Sequence, residues 1–166
     1  MRLVEIEDGS AAFLDANVLI YHCTAEPRYA PSCTTLLQRV ASGRVVGWVS
    51  SHVLAEVSHR LMTIEACARY EWPYQGIASR LGRHPDSISS LEQFRLALLE
   101  LVHFGFEVAD VTAADVVHAS SLSRQYGLLT NDALIVALMH RCGLNYLASN
   151  DAQFDRVDWI ERYAPG

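Results

Sequence analysis

The sequence contains no lysine, and all 13 of its basic residues are arginine. Enzymes that form a Schiff base with their substrate, and P-loop proteins that bind nucleotide phosphates, both depend on a lysine side chain. Both classes are therefore excluded. The sequence also lacks any run of about 18 apolar residues, the length that a membrane-spanning helix needs, so no transmembrane segment is expected.

Cysteine is scarce as well. The four cysteines lie far apart, and no two of them form the C-x-x-C pair of zinc and redox sites: Cys23, Cys33, Cys67 and Cys142. They are expected to be free thiols in the reducing cytosol. The N-terminal segment reaches acidic residues before any long apolar run, unlike a secretory signal peptide. Together these features predict a cytoplasmic protein.

The length and the apolar pattern predict one α/β domain over residues 1–166. Short apolar runs typical of strands alternate with longer stretches of helical spacing. This alternation predicts a doubly wound parallel sheet of five strands flanked by helices. The strands are expected at residues 11–15, 45–50, 106–110, 145–149 and 157–160.

The stretches between these strands are expected to be helical. The spacing predicts helices over residues 31–40, from a cap at Ser51, over residues 112–127, and from Thr130 or Asn131 to Cys142. Residues 64–104 are expected to form two helices joined by a turn-rich stretch. In doubly wound sheets, ligands bind beyond the carboxyl ends of the strands. That edge is therefore where functional residues are sought.

Four acidic residues are expected at this edge. Asp15 ends the first strand, Asp151 follows the fourth, and Glu56 and Asp132 lie near the starts of helices. Carboxylates this close repel one another unless a cation shares the site. Oxygen ligands without a His or Cys motif favour Mg²⁺ or Mn²⁺ over zinc, and such ions promote in-line displacement at a phosphodiester. The net charge of −6 opposes bulk electrostatic binding of nucleic acid, but four of the negative charges belong to this predicted site.

Each of these acids also has a structural interpretation. Asp132 suits a helix start through capping and the helix dipole. Glu56 suits helix-surface pairs with His52 and Arg60, and Asp151 suits a turn. Asp15 is the hardest to explain structurally, because an aspartate that ends an apolar strand loses hydration free energy unless something binds it.

The acids and the residues around them resemble PIN-domain nucleases, most of all the VapC-type toxins of prokaryotic toxin–antitoxin pairs. The resemblance covers nearly the whole chain and rests on four motifs: Leu14-Asp15-Ala16-Asn17-Val18-Leu19-Ile20, Glu56 after a strand, Asn131-Asp132-Ala133-Leu134-Ile135, and Ser149-Asn150-Asp151-Ala152-Gln153-Phe154-Asp155. It implies a sheet with strand order 3-2-1-4-5 and Mg²⁺- or Mn²⁺-dependent cleavage of single-stranded RNA. It further implies a homodimer and a cognate antitoxin that blocks the site.

The resemblance also implies a role for individual residues. The catalytic and metal-ligating residues it implies are the four acids: Asp15, Glu56, Asp132 and Asp151. Asn17 corresponds to a polar residue that orients the first aspartate, and Ser149 to a hydroxyl residue beside the last. Asp155 corresponds to an outer acid that many members lack. The long segment between Glu56 and the third strand departs from the family pattern, and it changes the expected shape of the substrate groove.

This long segment contains a mixture of arginines and aromatic residues over residues 68–85. Arginine interleaved with aromatics suits stacking on single-stranded bases. On this interpretation four residues are candidates for contact with RNA: Arg69, Trp72, Arg80 and Arg83. The alternative is that Tyr70, Trp72 and Tyr74 fill a core or a dimer seam. The sequence leaves both interpretations open.

Other functions compete with a toxin ribonuclease. A non-catalytic interaction domain of the same fold has no need to keep all four acids. An RNA-processing nuclease without an antitoxin needs the same site and differs from a toxin only in its effect on the host. A dehalogenase-like phosphohydrolase or a receiver-like phosphoacceptor is disfavoured, because the residue two positions after Asp15 is Asn17 and because lysine is absent.

Overall fold

The centre of the fold is a five-stranded sheet in which all neighbouring strands are parallel. The computed structural model describes residues 1–166 and places the strands at β1 (Ala11–Leu14), β2 (Val46–Ser50), β3 (Glu107–Ala109), β4 (Tyr146–Ala148) and β5 (Glu161–Tyr163). Their order is β3-β2-β1-β4-β5, which confirms the predicted fold class and topology. Strands β2 and β3 lie on one side of β1, and β4 and β5 lie on the other. The crevice of the doubly wound sheet is where this order reverses, at the carboxyl ends of β1 and β4.

Helices cover the sheet. They are α1 (Ala16–Cys23), α2 (Ala30–Ala41), α3 (Ser51–Tyr70), α4 (Ile77–Arg83), α5 (Pro85–Ser89), α6 (Gln93–Val102), α7 (Ala113–Tyr126) and α8 (Thr130–Cys142), with 3₁₀ helices at Leu3–Glu5 and Ala152–Arg156. Helix α1 packs against α2 and α3, and α3 packs against α6. Helices α7 and α8 pack against each other. The helices thus form two groups, one of α1, α2, α3 and α6 and one of α7 and α8. Right-handed crossovers on either side of β1 account for this division.

The main apolar core surrounds β1, whose Ala12, Phe13 and Leu14 are completely buried. A strand buried on both faces is typical of parallel sheets. A second, smaller cluster lies at the far end of α3: Ala66, Ile77, Leu81 and Leu91, with Trp72 packed against them. The four cysteines are free thiols. No helix combines the length and the apolar character that crossing a membrane requires.

The fifth strand lies later in the chain than predicted. Residues 157–160 were expected to form it, but they form a turn, and β5 begins at Glu161, opposite Tyr146. The turn is closed by the Ile160 N–H, which donates to the Val157 carbonyl at 3.1 Å. Val157 and Ile160 are both buried, so their apolar character reflects packing in the turn and not strand pairing.

Two helical regions also differ from the expectation. Helix α1 (Ala16–Cys23) was not predicted, because its near-continuous apolar sequence directly follows a strand and shows no 3.6-residue alternation. Residues 64–104 contain the end of α3 and three further helices instead of two. A left-handed conformation at Glu71 ends α3, and another at Gly76 precedes α4.

Two helix caps differ as well. The cap of α3 is Ser50, whose hydroxyl accepts the Val53 N–H, and not Ser51. Leu129 precedes α8 without any side-chain cap, so neither Thr130 nor Asn131 has that role. Both corrections move the helix start by one or two residues, and helix ends are defined no better than this by sequence.

Gly47 marks the tightest contact between β2 and α2. A Cβ atom on Gly47 would lie 2.8 Å from both methyl groups of Val40 and 3.1 Å from Phe106 Cδ1. We expect Gly47→Ala to lower the free energy of unfolding by about 1–3 kcal/mol through overpacking. Gly82→Ala is the matched control, because nothing lies within 4 Å of that helical position, and it should stabilise by about 0.5–1 kcal/mol. Chemical denaturation measures both, and equal midpoints for the two variants would contradict this account of the packing.

Candidate active site

The four predicted acids line one cavity of about 280 Å³ at the carboxyl edge of the sheet. Asp15 directly follows β1, and Asp151 lies three residues after the end of β4. Glu56 is in the second turn of α3, and Asp132 is in the first turn of α8. Strand ends and helix starts meet at this edge, so four acids that are far apart in the sequence line the same cavity. The remaining lining residues are Ala16, Asn17, Ile20, Arg60, Asn131 and Ile135.

Hydrogen bonds hold the Asp15 carboxylate in one orientation. The Ser149 hydroxyl donates to Asp15 Oδ2 at 2.6 Å, and the Asn17 side-chain amide donates to the same oxygen. The Asn17 amide also donates to the Ser149 oxygen at 3.1 Å. Ser149 is completely buried, so this triangle of side chains is shielded from solvent. The structure thus places Asn17 beside Asp15, as the family resemblance implied. The resemblance implied Ser149 only beside the last acid, and the structure brings its hydroxyl to Asp15 as well.

The same network continues into the loop after β4. The side-chain Oδ1 of Asn17 accepts the Asn150 N–H at 3.1 Å, and the Ser149 hydroxyl oxygen accepts the Asp151 N–H at 3.0 Å. The Asp151 carboxylate accepts the Gln153 N–H at 2.8 Å and caps the 3₁₀ helix that follows. The structural interpretation of Asp151 is therefore correct, and the residue lines the acid cavity as well.

Burial and mutual repulsion perturb two of the acids. Burial raises the pKa of Asp15 to about 6, and the charges of Glu56 and Asp132 act in the same direction, while the Ser149 hydrogen bond opposes them. The pKa of Asp132 is raised by burial and by the charges of Asp151 and Glu56. The cavity therefore disfavours the ionised form of both carboxyl groups, first through burial and then through the charges of the neighbouring acids.

No basic side chain pairs with any acid of the cavity. The protein has four salt bridges, and all of them lie elsewhere: Arg2–Glu5, Arg39–Asp8, Arg141–Asp115 and Arg162–Asp155. No three His, Cys, Asp or Glu side chains converge closely enough to hold a metal ion by themselves. Mg²⁺ keeps several of its waters and binds through one or two carboxylates, so it needs no such cage. The oxygen-only donor set and its uncompensated charge therefore fit a hydrated Mg²⁺ or Mn²⁺ ion.

Asp155 does not line the cavity. Its carboxylate accepts two hydrogen bonds from Arg162, at 2.7 and 2.9 Å, and this pairing lowers the pKa of Asp155. Arg162 Nη1 in turn donates to the Ser149 carbonyl at 3.2 Å. The predicted outer acid is thus connected to the cavity only through Arg162 and the backbone of Ser149.

The four candidate RNA-contact residues lie around the far end of α3 and do not line the acid cavity. Trp72 packs against the second apolar cluster. The centroid of its ring lies 4.7 Å from the ring centroid of Tyr70 and 5.4 Å from Cζ of Arg80. Arg69 donates to the Ser90 carbonyl at 2.8 Å, and Arg83 is exposed. Tyr70 and Trp72 therefore fill a small core, whereas Tyr74 is exposed, and contact of the four candidate residues with RNA stays a prediction.

Sequence reasoning considered Arg60 only as a surface partner of Glu56, but Arg60 lines the acid cavity. Its guanidinium donates a hydrogen bond to the Tyr74 hydroxyl, so one member of the segment over residues 68–85 does reach the cavity wall. Arg60 lies one helical turn after Glu56, and that spacing was the signal that could have placed it at the site. Nothing in the sequence pairs it with Tyr74.

Asp15→Asn should change stability in a pH-dependent way in metal-free buffer. The pKa of Asp15 is about 6 in the folded protein, against 3.8 for an ordinary aspartate, so the folded state binds this proton more tightly than the unfolded chain. Ionisation of Asp15 therefore destabilises the fold progressively from about pH 4 to above pH 6, by up to about 3 kcal/mol. Asp15→Asn should raise the free energy of unfolding at pH 7.5, and the gain should shrink towards pH 4.

Thermal melts in EDTA at several pH values measure this effect. Asp158→Asn is the matched control, because Asp158 is exposed in the turn before β5 at the opposite edge of the sheet. A lower melting temperature for Asp15→Asn at pH 7.5 would mean that the hydrogen bonds around this carboxylate outweigh the cost of its burial.

The chain is similar to known proteins over nearly its whole length. The chain is 26% identical over 161 residues to Ribonuclease VapC2 of Methanocaldococcus jannaschii, with 97% of both chains covered. Its fold is similar to VapBC2 from Rickettsia felis bound to a DNA fragment from their promoter, with TM-score 0.58, 19% identity, and 93% of this chain and 98% of that chain covered. It is also similar to a toxin–antitoxin complex from Klebsiella pneumoniae, with TM-score 0.55, 16% identity, and coverage of 90% and 95%.

The family comparison is the most direct. The model of the PIN domain matches residues 12–160, which include β1 from its second residue onward and the whole of β2, β3 and β4, but not β5. The matched range also contains the four acids together with Asn17 and Ser149. Because the match spans nearly the whole chain, the protein belongs to the PIN domain family.

Proposed function

We propose that this protein is a Mg²⁺- or Mn²⁺-dependent endoribonuclease that cleaves single-stranded RNA, and that it is the toxin of a type II toxin–antitoxin pair. The observation that carries the proposal is the cavity walled by four carboxylates that no basic side chain neutralises. Membership of the PIN domain family and the similarity to Ribonuclease VapC2 support it.

The acids are proposed to hold the divalent ion, which when bound lowers the pKa of water and stabilises charge on the phosphodiester. Asp15 is assigned as a direct ligand, because it is fixed by two hydrogen-bond donors at the end of the central strand. Asp132 and Asp151 contribute charge from the neighbouring helix and loop. Glu56 reaches the cavity on a longer, more flexible side chain and is assigned an indirect role.

This assignment predicts a ranking of variants. Purified protein should cleave single-stranded RNA in Mg²⁺ or Mn²⁺, lose this activity in excess EDTA, and regain it when Mn²⁺ is restored. Asp15→Asn should be inactive at every Mn²⁺ concentration, whereas Glu56→Gln should keep measurable activity at high Mn²⁺. Ser149→Ala removes the hydroxyl that donates to Asp15 and accepts from the Asn17 amide and the Asp151 N–H, but it leaves all four carboxylates in place, so it should reduce activity by about 10- to 100-fold.

Single-turnover cleavage across a Mn²⁺ titration measures this ranking. Asp158→Asn again serves as the control, because it removes one exposed carboxylate at the edge of the sheet away from the cavity. Cleavage that persists in excess EDTA would overturn the metal mechanism, and full activity of Asp15→Asn would overturn the site assignment.

The toxin role is the finer part of the proposal. Two proteins of similar fold were solved as VapBC or toxin–antitoxin complexes, which supports a protein partner that blocks this site. The homodimer stays a prediction of the family resemblance. An RNA-processing nuclease and a non-catalytic interaction domain remain the competing functions.

Expression of the chain alone should arrest growth of a bacterial host, and co-expression of a small protein encoded beside its gene should relieve the arrest. Asp15→Asn, expressed to the same level, should be harmless because the acid cavity has lost its central carboxylate. Cleavage of RNA in vitro without any effect on growth would indicate an RNA-processing enzyme. Arrest by Asp15→Asn as well would indicate an effect of binding and not of cleavage.

A further inference from the structure

We infer that Arg60 and Tyr74 form a clamp for single-stranded RNA at the rim of the acid cavity, in which the guanidinium binds a backbone phosphate and the tyrosine ring stacks on a neighbouring base. The inference rests on the proposed function and deepens it, since it names residues that would position the substrate. It also replaces a broad candidate segment by one defined pair of side chains.

The position of Arg60 is the first reason. Arg60 is the only basic residue among those that line the acid cavity. It lies one helical turn after Glu56 on α3, and its side chain is exposed. The guanidinium is therefore at the rim, where a phosphate adjacent to the scissile one would pass.

The partner of Arg60 is the second reason. An arginine one turn after a glutamate is well placed to pair with it, and three further carboxylates surround the same cavity. Arg60 nevertheless forms no salt bridge and donates instead to the Tyr74 hydroxyl, with Cζ 5.4 Å from the Tyr74 ring centroid. Tyr74 thus keeps the guanidinium away from the carboxylates. The acids stay free for a cation, and the guanidinium stays free for an anion.

The route of the chain explains how Tyr74 reaches Arg60. Left-handed backbone at Glu71 (φ 52°) and at Gly76 (φ 75°) lets the chain reverse after α3, and the Ile77 N–H donates to the Tyr74 carbonyl at 3.2 Å. Trp72 anchors the same segment in the second apolar cluster. The reversal leaves the Tyr74 side chain 51% exposed, which gives its ring a surface for a ligand.

The charge balance of the site is the third reason. An RNA strand must approach four carboxylates on a protein with a net charge of −6, and its flanking phosphates need a cation at the rim. The planar fork of arginine matches the oxygens of a phosphate. A tyrosine ring stacks on any base, provided that the base is unpaired. One guanidinium beside one ring therefore suits single-stranded RNA better than a duplex.

The clamp is tested first by RNA binding. The probe is a short, fluorescently labelled single-stranded RNA with phosphorothioate linkages, which resist cleavage, and its anisotropy is measured in Mn²⁺. Arg60→Ala should raise the Kd by about tenfold or more, because a charge-assisted hydrogen bond is lost, and Arg60→Lys should raise it less. Arg44→Ala is the control: it removes the same charge from the loop before β2, at the opposite edge of the sheet, and should leave the Kd within about twofold.

The second measurement separates the clamp from a merely structural contact. Tyr74→Phe keeps the ring and releases the guanidinium, which should then turn towards Glu56 and compete with the cation. The Kd for Mn²⁺ alone, measured by calorimetry, should rise about two- to fivefold. In the double variant Arg60→Ala with Tyr74→Phe this increase should vanish, because no guanidinium is left to compete. Melting curves check that each variant folds, and Arg60→Lys replaces the alanine variant if that one does not.

Each outcome decides the inference. Equal losses of RNA binding in Arg60→Ala and Arg44→Ala would show a bulk charge effect and overturn the clamp, as would a Mn²⁺ affinity that does not respond to Tyr74→Phe. Cleavage by the wild-type protein is scored separately. RNA binding that needs Arg60 without any cleavage keeps the clamp and refutes the nuclease. Cleavage together with unchanged RNA binding in Arg60→Ala keeps the nuclease and refutes the clamp.

Discussion

The carboxylate of Asp15 is the group around which the rest of the site is arranged. It stands where the completely buried strand β1 ends, so it carries charge into a region that otherwise excludes water. Pairing of Leu14 with Ala148 sets β4 beside β1 and brings Ser149 next to this carboxylate. The strand order therefore does more than bury apolar side chains, because it supplies the hydroxyl that makes burial of the charge tolerable.

Two hydrogen-bond donors reduce the cost of this charge without cancelling it. Burial and the neighbouring acids still raise the pKa of Asp15 to about 6. An arginine turned into the cavity would remove the repulsion, as Arg162 does for Asp155 and Arg141 does for Asp115. The cavity lacks such a pair although Arg60 lines it, so the fold keeps an electrostatic cost at neutral pH that a bound cation would remove. A cost of this kind is typical of a functional site.

The strands and the acids were predictable because their signals are local. β1 to β4 are apolar runs of strand length, and each predicted acid lies at the end of a strand or the start of a helix, where topology brings them together. Helix α1 and β5 were not predictable in this way. The apolar side chains of α1 show no helical period, and those of Val157 and Ile160 pack in a turn. In both cases tertiary burial determines the residue type, and local periodicity carries no information.

The contact between Arg60 and Tyr74 lay outside the reach of sequence for a different reason. The two residues are separated by fourteen positions, and they meet only because the chain reverses after α3 and Trp72 is held in the second apolar cluster. The composition of residues 68–85 does not show which of its arginines and aromatics contacts a residue of the cavity lining. That choice is made by left-handed backbone at Glu71 and Gly76. The small second core therefore does more than stabilise the fold, since it holds the segment whose Tyr74 ring contacts Arg60 of the cavity lining.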